Sequence, residues 1–169
     1  MMASMRDASG DEYFILFNSH GAIIKGFARE SKMSRFADEP PKVRRGVLDS
    51  VPSEFQDFLS GSAFEIETTT FCIWRRYTDS SWQIGNIDYP EGDDPDGSED
   101  LLSMLDGKPK TYQKFAAEYF EKDIPLSAVR HIYAHKSLTD DIISELNAEV
   151  SKDELQDDIE EIGYSNSTS

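Results

Sequence analysis

The sequence predicts an α+β fold: an N-terminal antiparallel sheet of about four strands, in two hairpins, followed by a C-terminal cluster of about five helices. Three observations carry this. The first half holds runs rich in β-branched and aromatic residues broken by Asn/Gly turns. The second half shows apolar residues at i, i+3, i+4 and i+7. The charge changes at the same boundary: residues 1–90 carry 13 acidic and 10 basic side chains, and residues 91–169 carry 20 and 7. Strands followed by helices, rather than alternating with them, point to an α+β arrangement.

Residues 13–17 (Tyr-Phe-Ile-Leu-Phe) and 22–27 flank Asn18, Ser19, His20 and Gly21, which predicts a hairpin. The first run is apolar on both faces, as suits a strand covered on both sides. Residues 29–51 are polar and broken by Pro40 and Pro41, so a loop is expected there. Ser53 and Gln56 have capping-box spacing before Phe55, Phe58 and Leu59, which predicts a short helix. Residues 68–74 and 82–87 read as a second hairpin turning at 78–81. Short, irregular connections favour antiparallel pairing.

Beyond an acidic loop at 90–97, Ser98 is expected to cap a helix bearing Leu101, Leu102 and Leu105. Tyr112, Phe115, Ala116, Tyr119 and Phe120 predict a core-facing helix over 111–121, with Phe115 and Tyr119 buried. Pro125 opens the next helix, with Leu126, Val129, Ile132 and Tyr133 inward. Thr139 starts another, containing Ile142, Ile143 and Leu146. Ser151 and Glu154 form a capping box for the last, whose stripe is Leu155, Ile159 and Ile162 and whose stop is Gly163. The organisation expected is a disordered tail over 1–10, a single domain over 11–163 (sheet-rich to 90, helical and acidic beyond), and a disordered tail over 164–169.

Composition excludes several classes. The 169 residues hold 33 acidic against 17 basic side chains, a net charge of −16. Direct nucleic-acid binding needs a basic surface to release counterions, and docking on anionic membranes needs one too. Hydrophobic residues make up 38%, enough for a core and too many for wholesale disorder. The lone Cys72 rules out a disulfide framework within the chain and a multi-cysteine zinc site. Neither an apolar leader core nor an eighteen-residue apolar window occurs, so a cytoplasmic location is expected and the sequon at Asn166 reads as accidental.

Chemistry-bearing candidates are few. His131 and His135 have the i, i+4 spacing that can share a metal ion, but Ile132 stands where a zinc peptidase carries its catalytic Glu. A helical wheel puts both opposite the apolar stripe, so two solvated histidines are the simpler reading. Aligning residues 92–103 on a calcium loop leaves Gly92 at the first ligand position and Ser103 at the last, where a bidentate Glu is required. Arg75 and Arg76, between Trp74 and Tyr77 and with Trp82 in the facing strand, offer an alternative anion or partner site, with Arg44 and Arg45 as possible contributors. Pairing with internal carboxylates is the plainer role for such arginines. Cys72, with His20 or His131 as base, is the one nucleophile to weigh, yet it sits mid-strand between Phe71 and Ile73 like a core residue. Glycine-rich phosphate loops and G-x-S-x-G are lacking.

The functional expectation therefore falls on the acid. Asp93, Asp94, Asp96, Asp140, Asp141, Asp157, Asp158, Glu160 and Glu161 are expected to make an acidic face that steers a basic protein partner, such as a nuclease to be inhibited. On this expectation the chain is non-enzymatic, immunity-like and free of cofactors. The alternatives are a small metal-dependent hydrolase using His131 and His135 with nearby carboxylates, and a structural or regulatory subunit of a larger assembly.

Overall fold

The computed structural model describes residues 1–37, 44–61 and 64–164. Pro40, Pro41 and the sequon lie outside them, as does the expected C-terminal tail beyond Tyr164. The first predicted hairpin forms: β2 (Glu12–Asn18) pairs with β3 (Gly21–Phe27) from Glu12↔Phe27 to Asn18↔Gly21. Asn18 sets the turn, its Oδ1 accepting the backbone N–H groups of His20 (2.8 Å) and Gly21 (3.2 Å). β4 (Phe71–Arg76) adds on the other side of β3, and β5 (Gln83–Ile84) pairs with β4.

The sheet has five strands in the order β1-β2-β3-β4-β5, all antiparallel. The additional strand, β1 (Met2–Arg6), corrects the expectation of a disordered tail over 1–10. Its residues are mostly exposed, so composition gives little sign of a strand. Five paired positions on β2, Met2↔Leu16 through Arg6↔Glu12, organise it instead.

Alternation along the strands sorts the core into two faces. Phe14, Ile23, Cys72 and Trp74 face a cluster closed by Met33, Val47, Val51, Phe55, Phe58 and Leu59. Ile15, Ile24 and Phe71 face the other way, against Leu101 and Leu102. The doubly apolar central strand is thus covered on both sides. Gly26 opposes Phe71 across β3 and β4, and the Phe71 ring occupies the space a Cβ would need.

The helix predicted near Ser53 is a 3-10 turn, Ser53–Phe55, running into α1 (Gln56–Leu59). Its capping box does not form, because the Gln56 side chain bonds to the Val51 carbonyl and Ser53 Oγ to Glu54. The apolar stripe of Phe55, Phe58 and Leu59 is buried as expected.

The chain divides into two compact units, Met1–Leu102 and Ser103–Ser169. The first ends with α2 (Ser98–Leu101), whose N-cap is Gly97 rather than Ser98. The second contains α3 (Pro109–Phe120), α4 (Leu126–Tyr133), α5 (Asp140–Leu146) and α6 (Gln156–Glu161). Thr139 caps α5, its side chain accepting from Ile142 N. Ser151 and Glu154 bond reciprocally, but they close the turn before α6 rather than its first turn. Past α6, Gly163 adopts φ +64° and Tyr164 N bonds to Ile159 O, a glycine-terminated helix stop.

The facing of α3 differs most from expectation. Only Ala116 is buried, joining Ile124 and Val129, while Phe115 and Tyr119 are 43% and 70% exposed. The physical reason is close helix packing. Ala116 and Ala117 turn toward the core and Gln113 Nε2 reaches the Ile124 carbonyl at 3.0 Å, which rotates the aromatic stripe onto a flank.

Candidate functional site

Each candidate is placed by a specific local interaction. Arg76 is tied down: its Nε donates to Glu54 Oε1 at 2.8 Å, and this bond, with the Ser53 hydroxyl, draws the Glu54 carboxyl down to about 2. Arg75 Nε donates to the Asp79 carbonyl at 3.3 Å, and Asp79 Oδ2 accepts Arg76 N–H at 2.8 Å. The Arg75–Arg76 pair therefore braces the β4–β5 turn, one guanidinium inside an ion pair. Trp82 is exposed beside it.

The i, i+4 histidine pair does not lie on one helix. α4 stops at Tyr133, and His135 lies past its end with φ +51°, so the two residues do not share a helical face. His131 is half-buried, and its Nε2 lies 2.8 Å from the Ser137 carbonyl oxygen, closing the chain reversal after α4. The His135 ring lies 6.4 Å from that of Tyr164. Among the described residues, no group of three or more His, Cys, Asp or Glu side chains is placed to hold a metal ion.

In the acidic loop the carboxylates serve the backbone. Asp94 accepts Glu99 N and Asp100 N, and Asp96 Oδ1 accepts Ser98 N, so both cap α2. Asp96 is only 6% exposed, and its bond from Tyr89 helps push that phenol up to about 12, chiefly through burial. Asp96 therefore cannot belong to an exposed acidic face as expected; Asp93 beside it is exposed. In the second unit Asp140, Asp141, Asp157, Asp158, Glu160 and Glu161 are all exposed. Residues 139–161 hold ten carboxylates and one lysine.

Cys72 is buried, and loss of hydration pushes its thiol up to about 12, the opposite of an activated nucleophile. Its cross-strand neighbour, Lys25, is a feature the sequence reading missed. Lys25 has no exposed surface; its Nζ donates to the carbonyls of Phe64 and Glu65, lies 3.7 Å from Glu12 and sits over the Phe14 ring. Burial lowers its pKa, with Glu12 acting against that shift. The one signal available in the sequence was a charge within an otherwise apolar strand.

Sequence reasoning also missed what α3 displays. Tyr112, Phe115, Tyr119 and Phe120 are exposed and form a continuous run of rings: centroids lie 6.5 Å apart for Tyr112–Phe115, 5.5 Å for Phe115–Tyr119 and 5.0 Å for Tyr119–Phe120. On the helical wheel, at about 100° per residue, Lys110 and Lys114 fall nearly opposite the centre of this run. It is therefore an aromatic strip not crowned by its own lysines.

No family model, curated protein or solved structure matches this chain.

Proposed function

We propose that this chain is a non-enzymatic protein-binding domain of the cytoplasm that engages and neutralises a basic protein, an inhibitory or immunity-like role. The observation that carries the reading is the aromatic run of α3, four neighbouring rings left in water within an acidic chain. Exposed contiguous apolar surface is costly on a free monomer and marks interaction sites. Tyr and Phe are enriched at the centres of protein interfaces, where they supply area at little entropic cost. The carboxylates of residues 139–161 provide the long-range field that speeds encounter with a basic partner. In this division of labour the rings hold and the acid steers. No helix among the described residues is long and apolar enough to cross a membrane.

The test separates the two contributions. The chain is used to capture its partner from the native organism, and kinetics follow at two salt concentrations. Charge reversal of Asp157, Asp158, Glu160 and Glu161 to Lys should slow association and abolish its salt dependence, because exposed charges are screened within about 8 Å at physiological ionic strength. Phe115→Ser with Tyr119→Ser should leave association nearly unchanged and raise dissociation by at least about tenfold, as expected for central anchors. A folded chain bearing both sets of changes that captures the same protein equally well would refute the proposal.

A further inference from the structure

We propose that β1 is a dimerisation strand: it pairs antiparallel with β1 of a second copy of this chain, in a register centred on Ser4. The two sheets then join edge to edge. β1 is the outermost strand on its side of the sheet. Met2, Ala3, Ser4 and Arg6 are exposed, Met2 to 55%. An exposed edge carries a row of backbone donors and acceptors that another strand can complete.

The β1–β2 ladder fixes which groups those are. Phe17 N donates to Met1 O (2.9 Å) at one end, and Asp7 N donates to Asp11 O (3.1 Å) at the other. Both pairs continue the register that runs from Met2↔Leu16 to Arg6↔Glu12. Bonded and unbonded pairs alternate along an antiparallel ladder. The odd-numbered residues therefore spend their backbone groups on β2, and Met2, Ser4 and Arg6 aim theirs outward. A two-fold axis at Ser4 sets Met2 opposite Arg6 of the second copy, Ser4 opposite Ser4, and Arg6 opposite Met2. Every outward-facing residue then meets an outward-facing one, and each such pair exchanges two N–H···O=C bonds. This register uses the whole strand. Sliding the copies shortens the paired stretch, and a slide that brings the two Arg6 residues face to face opposes like charges.

The side chains suit a copy of the same strand. Alternation places Ala3 and Met5 on one face, where small opposes large across the seam, and Met2, Ser4 and Arg6 on the other. Arg6 is already paired with Glu12 at 2.8 Å and lies over the Phe14 ring. Copies of a chain with a net charge of −16 repel one another, so an interface between them has to lie where acid is scarce. Among residues 1–10 only Arg6 and Asp7 carry charged side chains. The devices that keep edge strands apart are missing from β1: it has no proline or lysine, and its unbroken register holds no bulge. The opposite edge is different. β5 has two residues, and its continuation at Gly85 is pressed against the Gly46 backbone. Pairing through β1 is isologous, so it closes at two copies.

The test is sedimentation velocity of the whole chain from about 1 μM to about 1 mM, the range in which a small interface associates. Sedimentation should rise with concentration from monomer to dimer. Ser4→Pro removes one outward-facing N–H, at a place where an edge strand tolerates proline, and should remain monomeric with wild-type circular dichroism. Ser4→Lys and Ser4→Glu keep every N–H and set like charges face to face across the axis. Each should raise the dissociation constant at least about tenfold, and mixing the two should restore the dimer. Phe115→Ser with Tyr119→Ser should dimerise as the wild type does, which separates the seam from the role assigned to α3. A chain that stays monomeric throughout the range would overturn the proposal. So would a dimer unweakened by Ser4→Lys, a Lys and Glu mixture no more dimeric than either alone, or a dimer lost only when the α3 rings are removed.

Discussion

The two units solve the burial problem in opposite ways. Among the described residues, Met1–Leu102 buries five phenylalanines and Trp74 on the two faces of its sheet, whereas Ser103–Ser169 buries only aliphatic side chains: Ala116, Ile124, Ala128, Val129, Ile143 and Ile159. The second unit has aromatics to spend, yet it wears Tyr112, Phe115, Tyr119 and Phe120 outside. Charge is handled differently too. The first unit uses Arg76, Arg6 and Arg35 in ion pairs with Glu54, Glu12 and Glu67, while the second leaves the carboxylates of α6 in solvent. One unit spends its special residues on stability, and the other presents them. The contrast teaches that an amphipathic stripe marks where apolar residues lie on a helix, not whether its own chain covers them.

The largest expected effect tests that contrast directly. Phe55 is fully buried in the sheet core, so Phe55→Ala should destabilise by about 3–5 kcal/mol. Phe115→Ala and Tyr119→Ala should each cost less than about 1 kcal/mol, as substitutions away from the core do. Chemical denaturation of the three variants decides it. A loss at Phe115 matching that at Phe55 would mean α3 packs inward after all.

Next comes the buried cation. Lys25→Ala removes a long side chain and leaves the Phe64 and Glu65 carbonyls without their donor, for an expected loss of about 2–5 kcal/mol. Lys25→Met keeps most of the volume and sheds the desolvation penalty of the charge, so it should cost less than the alanine variant. If the two variants unfold at the same denaturant concentration, volume is irrelevant at that site and the hydrogen bonds account for the whole effect.

These sites also show what the sequence could and could not disclose. The central hairpin was legible because residues 13–17 and 22–27 are apolar runs on either side of an Asn/Gly turn, and the turn at Asn18–Gly21 sets their register. The Thr139 cap was legible because its partner lies three residues away. β1 was not, since its stabilisation comes from backbone pairing to β2 rather than from its own side chains. The facing of α3 was hidden for a related reason: small residues at 116 and 117 decide it, and a wheel weighted by hydrophobicity ranks aromatics above alanines. Buried Lys25 was visible as an anomaly, but its carbonyl partners lie about forty positions away along the chain.

A smaller effect probes the helical unit. Thr139→Ala removes the acceptor for Ile142 N, and loss of an N-cap typically costs about 1 kcal/mol. Thr139→Ser should recover most of it. Because the second unit has few large buried side chains, this single cap is expected to lower the thermal midpoint more than Ser53→Ala in the first unit, where no cap bond forms at the 3-10 turn. Equal shifts would erase that difference in local sensitivity.

The smallest effect concerns charge in the first unit. The Glu54 carboxyl is drawn from an ordinary 4.5 to about 2 by the Arg76 guanidinium, the backbone and the Ser53 hydroxyl. A folded-state pKa below the unfolded one means the unfolded chain binds protons first as the medium is acidified. The stabilisation is therefore fully present above about 4.5, and it fades as pH falls from there to about 2. Exposure of the pair keeps its magnitude low, since surface ion pairs are weakened by solvent screening. Glu54→Gln should consequently unfold slightly before wild type at neutral pH, with the gap closing across that acidic window. Arg76→Gln should shrink the same pH-dependent component by removing its principal cause. Denaturation midpoints for the two variants and wild type between neutral pH and pH 2 give the answer. A gap for Glu54→Gln that stays constant with pH would show that the Glu54–Arg76 contact is geometric only, and that the two units treat their charges alike.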